Sequence, residues 1–499
     1  MVSTGRTLSD LAACLPDARL GSSTSGSALV TDVTHDSRQV SQGCLFVAVR
    51  GTNFDGHRFV AAAVEAGASA LCVDHEMGTQ VDELVVGDTR AALGQLASMV
   101  HGDPSRRMKV IGVTGTNGKT TVAHFIDSMG RELGFQTGLI GTIETRIGNE
   151  SVQSAHTTPE ASDFQRLLAQ MEGRDTELVA VEVSSHALEM GRVNATTFSV
   201  AAFTNLSQDH LDFHGSMDDY RQAKWRLFDE FSIGHAVFNT DDETGKVFAE
   251  AYEGPKTTIG AEGDVRVSSL SSLGSSTQFE LSTPWGSASI TAPVVGRFNV
   301  DNAVAAATCL LVSGSEFEHV VEALQNLERV PGRFELISGS DPIRVVVDYA
   351  HTPAGITEAI EAARLLNPKR VIALVGAGGD RDRGKRPLMG AAVAEADVAV
   401  VTSDNPRSED PTEIVNEVVS GLDLRTEVIV EVDRGLGIQR ALESASDGDV
   451  VLILGRGHET SQDLGGRRVS FDDREAARSA LNRLRRSNES GSGSGSMGL

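Results

Sequence analysis

The segment Val110–Thr121, VIGVTGTNGKTT, constrains the fold of this chain most strongly. An apolar β-run enters a glycine turn, and a helical pattern over residues 120–133 leaves it. Such a turn directs backbone amides and a helix N-terminus at one point, which suits bound phosphate groups. Lys119 is expected to contact the β- and γ-phosphates, and Thr120 to hold Mg²⁺. Val113 stands where the phosphate-loop consensus has its first glycine, so a turn without a ligand is the alternative.

The charge balance argues against one class of function. The chain has 44 Lys and Arg residues against 69 Asp and Glu residues, a formal net charge of −25. A protein that binds nucleic acid through its backbone needs a surplus of basic residues. We therefore expect no nucleic-acid partner. A small anionic ligand stays compatible with an acidic protein, because single loops can be basic or rich in amides.

Length, cysteines and hydropathy set the remaining limits. A chain of 499 residues corresponds to roughly three domains. The four cysteines form no CxxC pair, so metal or redox chemistry on them is not indicated. The sequence shows neither an apolar signal core near its start nor an apolar window of about 18 residues. We expect a soluble, cytoplasmic protein with reduced thiols and no membrane partner.

The pattern of strands and helices predicts an α/β fold in three regions. Residues 1–104 read as a small α/β domain, and residues 105–335 alternate strands with helices, as in a mainly parallel sheet. Within the second region, residues 256–292 suggest an antiparallel insertion. Residues 336–488 predict a second open sheet, whose ligand loops follow the carboxyl ends of its strands. The Gly/Ser-rich residues 489–499 are expected to be disordered.

Polar residues with metal-binding chemistry follow two strands of the second region. Glu182 ends the run LVAVEV, and the segment 203–215, FTNLSQDHLDFHG, contains His210. A carboxylate and an imidazole beside a phosphate loop can hold a metal ion. The alternatives are a solvated strand end for Glu182 and a structural hydrogen bond for His210. Lys224 lies on a half-apolar helix, where a surface cation is the ordinary interpretation.

Two further loops suit an anionic substrate. Residues 376–387, GAGGDRDRGKRP, combine glycines with four cations, Arg381, Arg383, Lys385 and Arg386. Arginine grips carboxylates bidentately, which makes such a loop a candidate binding site. The segment 404–407, DNPR, follows the strand DVAVVT, and a type I turn on Asn-Pro is its alternative interpretation.

Taken together, these segments resemble the Mur ligase family. GTNGKTT, EVSSHAL, TNLSQDHLDFHG, YRQAKWRLF, GRFNVDNAVAA, VPGRFE, VVDYAHTP and GRGHE occur in the family's order over nearly the whole chain. The N-terminal segment THDSRQVSQGCLFVAVRGTNFDGHRF and the later GGDRDRGKRPLM and DNPR resemble the branch that adds the third residue of the peptidoglycan stem peptide.

The resemblance implies three domains: a UDP-sugar domain, a central P-loop ATPase and a C-terminal Rossmann-like domain for the incoming amino acid. It implies an ATP-dependent amide ligase that adds meso-diaminopimelate to the D-Glu γ-carboxylate of UDP-MurNAc-L-Ala-D-Glu through an acyl phosphate. The implied cofactor is Mg²⁺, the implied modification is a carbamylated Lys224, and the expected oligomeric state is a monomer.

The resemblance also assigns site residues. It implies a catalytic set of Lys119, Glu182, His210 and Lys224, and metal ligands at Thr120, Glu182, His210 and carbamylated Lys224. ATP is assigned to Gly115, Thr116, Asn117, Gly118, Lys119, Thr120, Thr121, Asn299, Asn302, Arg333, Asp348 and His351. UDP-MurNAc-dipeptide is assigned to His35, Ser37, Thr52, Asn53, Phe54, His156, Thr157, Thr158, Ser184, Met190 and Arg192. Met190 departs from the Gln of some members. Diaminopimelate is assigned to Arg381, Asp404, Asn405, Pro406, Arg407, Gly455 and Glu459.

Arg407 favours diaminopimelate over lysine as the added residue, because these two amino acids differ by one distal carboxylate that Arg can bind. Lysine-adding relatives usually lack this Arg, and a lysine-adding ligase is the alternative. A ligase similar to folylpolyglutamate or cyanophycin synthetases lacks the DSRQV and DNPR segments seen in this sequence. A non-catalytic nucleotide-binding scaffold predicts loss of Lys119, Glu182, His210 or Lys224, and all four are present.

Overall fold

The structure is a computed structural model that describes residues 5–51, 54–154, 156–338, 342–423 and 425–492. Its elements form three α/β units in chain order, each built of one main sheet and the helices around it, which confirms the predicted fold class. These units are called the first, second and third layer. Within these described ranges, no helix combines the length and apolarity needed to cross a membrane.

The first layer is a five-stranded sheet in the order β2-β7-β6-β5-β4, with a separate β1-β3 ribbon. Only β2 runs antiparallel to its neighbour in the sheet. Asp88 caps the long helix α3 by accepting hydrogen bonds from two backbone amides. The elements are β1 (Arg6–Thr7), α1 (Leu8–Ala13), β2 (Arg19–Leu20), β3 (Leu29–Val30), β4 (Asp32–Thr34), β5 (Cys44–Val47), α2 (Val60–Glu65), β6 (Ala70–Val73), β7 (Asp82–Val85) and α3 (Thr89–His101), with short 3-10 turns at Ser37–Gln39, Gly56–Phe59 and Pro104–Arg106.

The second layer is an eight-stranded sheet in the order β11-β10-β9-β12-β8-β13-β14-β15. Its central strands are parallel and buried on both faces, as their continuous apolar runs require. Its strands are β8 (Lys109–Thr114), β9 (Thr137–Ile140), β10 (Glu144–Ile147), β11 (Glu150–Gln153), β12 (Leu178–Glu182), β13 (Thr197–Phe203), β14 (Ser232–Asn239) and β15 (Lys256–Ile259). Its helices are α4 (Lys119–Glu132), α5 (Ala161–Glu172), α6 (Ser185–Glu189), α7 (Leu211–His214), α8 (Met217–Asp229), α9 (Glu243–Ala251), α10 (Arg297–Val312) and α11 (Phe317–Gln325).

The predicted antiparallel insertion is shorter than expected. Strands β16 (Arg266–Ser272), β17 (Thr277–Thr283) and β18 (Gly286–Ala292) form an antiparallel three-stranded sheet. Strand β15, which the prediction included in the insertion, instead pairs in parallel with β14 at the edge of the large sheet. Its alternating polar residues reflect this edge position rather than a hairpin.

The third layer is a six-stranded sheet in the order β19-β20-β24-β21-β22-β23, parallel except for the edge strand β19. The last helix runs to Ser492, so residues 489–492, predicted to be disordered, continue the preceding helix; residues 493–499 lie outside the described ranges. The elements are β19 (Glu335–Leu336), β20 (Arg344–Asp348), α12 (Pro353–Arg364), β21 (Val371–Ala377), α13 (Lys385–Val393), β22 (Val398–Ser403), α14 (Pro411–Val419), β23 (Glu427–Val430), α15 (Arg434–Glu443), β24 (Val450–Leu454), β25 (Ser461–Leu464), β26 (Arg467–Ser470) and α16 (Asp473–Ser492).

Candidate active site

A cavity of about 420 Å³ lies where the second and third layers meet. The loop after β8, the segments after β12 and β13, and helix α8 line it from one side. Residues at the end of β20 and the start of α12 line it from the other. Both sheets thus present the carboxyl ends of parallel strands, which is where open α/β sheets bind ligands.

The loop between β8 and α4 has the geometry of a phosphate site. No side chain caps α4 at Gly118, so the amides of its first turn are available to a bound anion. Two glycines allow the close packing around it. A Cβ atom on Gly115, at φ 150°, would lie 1.9 Å from Thr204 Oγ1, and one on Gly118, at φ 87°, would lie 2.4 Å from Asn302 Oδ1. The predicted succession of strand, glycine turn and helix is confirmed despite Val113, and phosphate binding at the turn stays a prediction.

Two buried lysines meet at the bottom of this loop. Lys119 Nζ donates to the carbonyl oxygens of Gly115 and Thr116 at 2.9 and 2.8 Å. Lys224 Nζ donates to the same Gly115 carbonyl at 2.7 Å. Burial lowers the pKa of both ammonium groups, and the charge of Lys119 lowers the pKa of Lys224 further. Lys224 is 1% exposed, so its prior interpretation as a surface cation is wrong.

Glu182 and Thr120 are joined directly at the edge of the cavity. Thr120 Oγ1 donates to Glu182 Oε2 at 2.9 Å, and the Thr142 amide donates to Glu182 Oε1 at 2.6 Å. Glu182 is fully buried, so its alternative interpretation as a solvated strand end is wrong. Thr142 also donates its hydroxyl to Glu182 at 3.0 Å and was not predicted, because no sequence motif marks it.

His210 supplies a nitrogen donor to the same cavity. It has a left-handed backbone at φ 55° and is the N-cap residue that precedes helix α7. Burial lowers the pKa of the His210 imidazole to about 3, which keeps the ring neutral and its lone pair available. The ring packs edge-on to His186, with centroids 4.9 Å apart.

These donors fit a magnesium ion that is shared with a nucleotide. Hydroxyl and carboxylate oxygens are the ligands Mg²⁺ prefers, and it is usually held by one or two carboxylates together with substrate phosphates. Within the described ranges, a group of three His, Cys, Asp or Glu ligand atoms within 4.8 Å of one another occurs at His57, Asp74 and His75, not at the cavity. The cavity donors therefore need the phosphate oxygens to complete a coordination shell.

The third layer contributes a guanidinium and a carboxylate to the cavity. Arg333 Nη2 donates to Thr120 Oγ1 at 2.9 Å, and its guanidinium stacks 4.3 Å from the centre of the Tyr349 ring. Asp348 accepts backbone hydrogen bonds from Phe334 and Ala350, and burial raises the pKa of its carboxyl group. Arg333 and Asp348 therefore line the same cavity as the phosphate loop, and their contact with the nucleotide stays a prediction.

A buried ion pair joins the two layers beside the cavity. Lys385 Nζ donates to Asp209 Oδ1 at 2.9 Å, and His351 Nε2 contacts Asp209 Oδ2 at 3.2 Å. Next to it, Gln208 Nε2 donates to Asp382 Oδ2 at 3.0 Å. The resemblance assigned neither Asp209 nor Lys385 to the site. Lys385 is one of the cations of the loop 376–387 that were expected to suit an anionic substrate, and it pairs with Asp209 instead. The sequence gives only a weak signal for this pair, because each of the two residues stands among several other charged residues.

The two asparagines of helix α10 face different spaces. Asn302 lines the main cavity and a neighbouring one of about 250 Å³. Asn299 donates from Nδ2 to the Val295 carbonyl at 3.0 Å and lines a third cavity of about 160 Å³ beside Phe334. The assignment of Asn302 to the adenine side of ATP is compatible with this geometry. The same assignment for Asn299 stays a prediction.

The residues assigned to the muramyl dipeptide divide into two groups. His156, Thr157, Thr158, Ser184 and Arg192 all line the main cavity. Met190 is not part of that lining, and its carbonyl oxygen accepts a hydrogen bond from Arg90 at 3.4 Å.

The uridine-side residues lie in the first layer. His35 Nδ1 is 2.9 Å from Ser162 Oγ of helix α5, which joins the first layer to the second. Ser37 begins a 3-10 turn capped by Asp36, and Phe54 is 69% exposed. Thr52 and Asn53 lie outside the described residues, so their assignment stays a prediction.

A compact cluster at the carboxyl ends of β22 and β24 contains the residues assigned to the third amino acid. Asn405 Nδ2 donates to Glu459 Oε2 at 2.9 Å, and its Oδ1 accepts from the Asp463 amide at 2.8 Å. Burial raises the pKa of Glu459, as does the nearby Asp404 carboxylate. A Cβ atom on Gly455 would lie 3.0 Å from Asp404 Oδ2.

Arginine side chains lie on both sides of this cluster. Arg407 donates from Nη1 to the Gly379 carbonyl, and Gly379 packs so closely against the Pro406 carbonyl that it has no room for a side chain. Arg381 is exposed and lines the main cavity instead. Pro406 and Arg407 therefore belong to the cluster, whereas Arg381 lies between it and the main cavity.

The fold and the site define a class of nucleotide-dependent ligase. The chain matches, in order, the models described as "Mur ligase family, catalytic domain" over residues 29–101, "Mur ligase middle domain" over 113–310 and "Mur ligase, glutamate ligase domain" over 332–457. The chain belongs to the Mur ligase family.

Curated relatives and solved structures agree with this family. A protein of Geobacillus thermodenitrificans named UDP-N-acetylmuramoyl-L-alanyl-D-glutamate--2,6-diaminopimelate ligase is 44% identical over 90% of this chain and 94% of its own. A protein of Streptomyces coelicolor with the same name is 42% identical over 91% and 93%. A solved structure with that name is 30% identical, with a TM-score of 0.69 over 97% of this chain and 100% of its own. The Thermotoga maritima MurF ligase in complex with ADP is 20% identical with a TM-score of 0.65 over 91% of this chain and 97% of its own, which shows the fold alone.

Proposed function

We propose that this protein is an ATP-dependent ligase of peptidoglycan precursor synthesis. It joins meso-diaminopimelate to the D-Glu γ-carboxylate of UDP-MurNAc-L-Ala-D-Glu and releases ADP and phosphate. One observation supports this proposal above the others: a phosphate loop and a cluster that contains Arg407 lie at facing sheet edges. The names of the curated relatives point to the same reaction.

The chemistry follows from the poor reactivity of a carboxylate towards amines. A γ-carboxylate oxygen of D-Glu attacks the γ-phosphorus of ATP, and the bond to the ADP oxygen breaks. The amine of diaminopimelate then attacks the acyl carbon, an amine proton is lost, and the carbon–oxygen bond breaks to release phosphate. Positioning and electrostatic stabilisation supply most of the rate enhancement in such transfers.

The chain's own cations are placed for this transfer. Lys119 and the first-turn amides of α4 would hold the β- and γ-phosphates. Arg333 lies one hydrogen bond from Thr120 and would neutralise charge on the same phosphates. Arg192, which lines the cavity, would orient a carboxylate of the muramyl dipeptide. Arg381 lines the same cavity and would bind diaminopimelate.

Thr120, Glu182, His210 and a carbamylated Lys224 would hold Mg²⁺. When bound, the ion neutralises phosphate charge during the transfer. Carbamylation of Lys224 has a physical basis here, because only a neutral amine attacks CO₂ and burial lowers the pKa of this ammonium group. The amine nitrogen bonds to the carbon of CO₂ and loses a proton, which converts a cation into a carboxylate-like ligand.

We also propose that the protein acts in the cytoplasm as a monomer, where ATP and the UDP-linked precursor are available. The reduced state expected for Cys14, Cys44, Cys72 and Cys309 fits this compartment, and all four thiols are free in the structure.

The test is phosphate release from ATP in the presence of UDP-MurNAc-L-Ala-D-Glu, measured in parallel with meso-diaminopimelate and with L-lysine. The proposal predicts release with diaminopimelate and little with lysine. Release with lysine alone would keep the ligase and overturn the assigned amino acid. No release with either would contradict the proposed function.

A further inference from the structure

Glu358 is a carboxylate without a partner in the cleft between the second and third layers. It lies on helix α12 and lines both the main cavity and the neighbouring cavity of about 250 Å³. Among the described residues, no hydrogen-bond donor or cation contacts its side chain. Burial raises the pKa of the Glu358 carboxyl to about 7, and the nearby carboxylates of Asp301 and Asp348 add to the rise.

The neighbouring cavity combines apolar walls with acceptor groups. Phe298, Ile259 and Ala305 form its apolar surface, and Asn302 forms its border with the phosphate loop. No lysine or arginine is among its described lining residues. Because its described lining includes four carboxylates and no cation, this space disfavours an anionic ligand group and favours an uncharged one that presents hydrogen-bond donors.

The other carboxylates of this cavity already have partners. Asp301 accepts from Arg297 at 2.7 Å, and Asp241 lies 3.3 Å from the same guanidinium. Asp242 accepts from the amides of Leu206 and Gly245. Glu358 is thus the carboxylate of this cavity that a ligand can satisfy without displacing an existing bond.

We propose that Glu358 selects the base of the nucleotide by accepting a hydrogen bond from the 6-amino group of adenine. This inference rests on the proposed use of ATP. The phosphate loop and Asn302 fix where the nucleotide enters, and the apolar walls beyond Asn302 receive the base. Guanine and hypoxanthine carry a carbonyl oxygen at the same ring position, which a carboxylate repels.

The test compares equilibrium binding of ATP and of purine riboside triphosphate, which lacks only the 6-amino group, by titration calorimetry. The titrations are done at a pH well above the Glu358 pKa of about 7, so that the carboxyl is ionised. In the wild-type protein, the loss of this group is expected to weaken binding about tenfold or more, as for a hydrogen bond to a charged acceptor. In Glu358→Ala, ATP affinity falls by the same factor and the two nucleotides bind equally. Glu358→Gln keeps the shape of the side chain and replaces the charged acceptor with a neutral one. It is expected to reduce the difference in affinity between ATP and purine riboside triphosphate.

Glu322→Ala is the control, because Glu322 is an exposed carboxylate on helix α11 that lines neither cavity. It is expected to keep the wild-type preference. Equal weakening of both nucleotides in Glu358→Ala would overturn the inference. The inference would also be overturned if Glu358→Ala weakened the binding of ATP but not of 2′-deoxy-ATP, because Glu358 would then contact the ribose 2′-hydroxyl rather than the base. Failure of ATP to bind the wild-type protein would instead contradict the proposed function.

Discussion

Two lysine side chains converge on one carbonyl oxygen at the bottom of the active-site cavity. Lys119 and Lys224 both donate to Gly115, and neither has a carboxylate within ion-pair distance in the described part of the chain. Two adjacent buried cations repel each other. A bound phosphate group relieves this repulsion for Lys119, and carbamylation relieves it for Lys224. This geometry supports both the proposed binding of phosphate at Lys119 and the proposed carbamylation of Lys224.

Replacing Lys224 tests its proposed role directly. Lys224→Ala is expected to lower turnover by about 100-fold or more, the scale of losing one group that stabilises the transition state. ATP affinity should change little, because Lys119 and the α4 amides hold the phosphates. Phosphate release and calorimetry measure the two effects.

The control for this variant is Lys246→Ala, which removes a half-exposed lysine from helix α9. It is expected to leave both turnover and ATP affinity at wild-type values. Wild-type turnover in Lys224→Ala at ambient bicarbonate would contradict the proposed role of a carbamylated Lys224.

Arg407 is the residue expected to distinguish diaminopimelate from lysine. Arg407→Ala should lower kcat/KM for meso-diaminopimelate by about 100-fold or more, because the distal carboxylate loses a bidentate partner. The activity with lysine, which has no distal carboxylate, should change much less. Steady-state kinetics with both amino acids provide the measurement. Equal losses of kcat/KM for both would show that Arg407 does not determine which amino acid is added.

At the scale of elements, the buried parallel strands were the most predictable part of the fold. Continuous apolar runs between turns, such as those that form strands Ala70–Val73 and Val450–Leu454, leave few other structures, so the predicted alternation of strands and helices is confirmed there. Strand β15 was assigned to the wrong sheet, because an alternating edge strand looks the same in a hairpin.

The candidate site was predictable where a motif marks it. The phosphate loop and Glu182 follow strands whose carboxyl ends must meet. Lys385 could not be paired with Asp209 from sequence, because 176 residues separate them and only the packing of two sheets brings them together. Glu358 was missed for a similar reason, since it stands among ordinary helix carboxylates.

The conformation of the phosphate loop depends on Gly118. Gly118→Ala is expected to weaken ATP binding by about tenfold or more, because its Cβ would displace the Asn302 side chain. Gly134→Ala is a matched control, since Gly134 has almost the same φ, +86° against +87°, and nothing within 4 Å of an added Cβ.

Both substitutions should lower the free energy of unfolding by about 1–2 kcal/mol through backbone strain. Only Gly118→Ala should affect ATP affinity. Chemical denaturation measures the free energy of unfolding, and calorimetry measures the ATP affinity. Equal ATP affinities in the two variants would contradict the role assigned to the loop.

At the scale of the whole molecule, the Asp209–Lys385 pair links the second layer to the third. Breaking one partner of a buried pair costs about 3–5 kcal/mol, because the other charge stays buried without compensation. Separation of the layers would let water reach Lys385. We therefore expect Asp209→Asn to shift the population towards a more open molecule.

Small-angle X-ray scattering measures this change as a larger radius of gyration for Asp209→Asn. Asp382→Asn is the control, because the Gln208–Asp382 contact joins the same layers but Asp382 is only half-buried. It is expected to change the scattering little. Identical radii for Asp209→Asn and the wild-type protein would show that the ion pair does not hold the layers together.

In the proposed mechanism, the D-Glu γ-carboxylate is activated as an acyl phosphate before the amide forms. This step is tested most directly with UDP-MurNAc-L-Ala-D-Glu labelled with a heavy oxygen isotope in that carboxylate, together with ATP and meso-diaminopimelate. Mass spectrometry of the released phosphate follows the label. The mechanism predicts one labelled oxygen in each phosphate, because the carboxylate oxygen leaves with it. Unlabelled phosphate alongside amide product would contradict an acyl-phosphate intermediate.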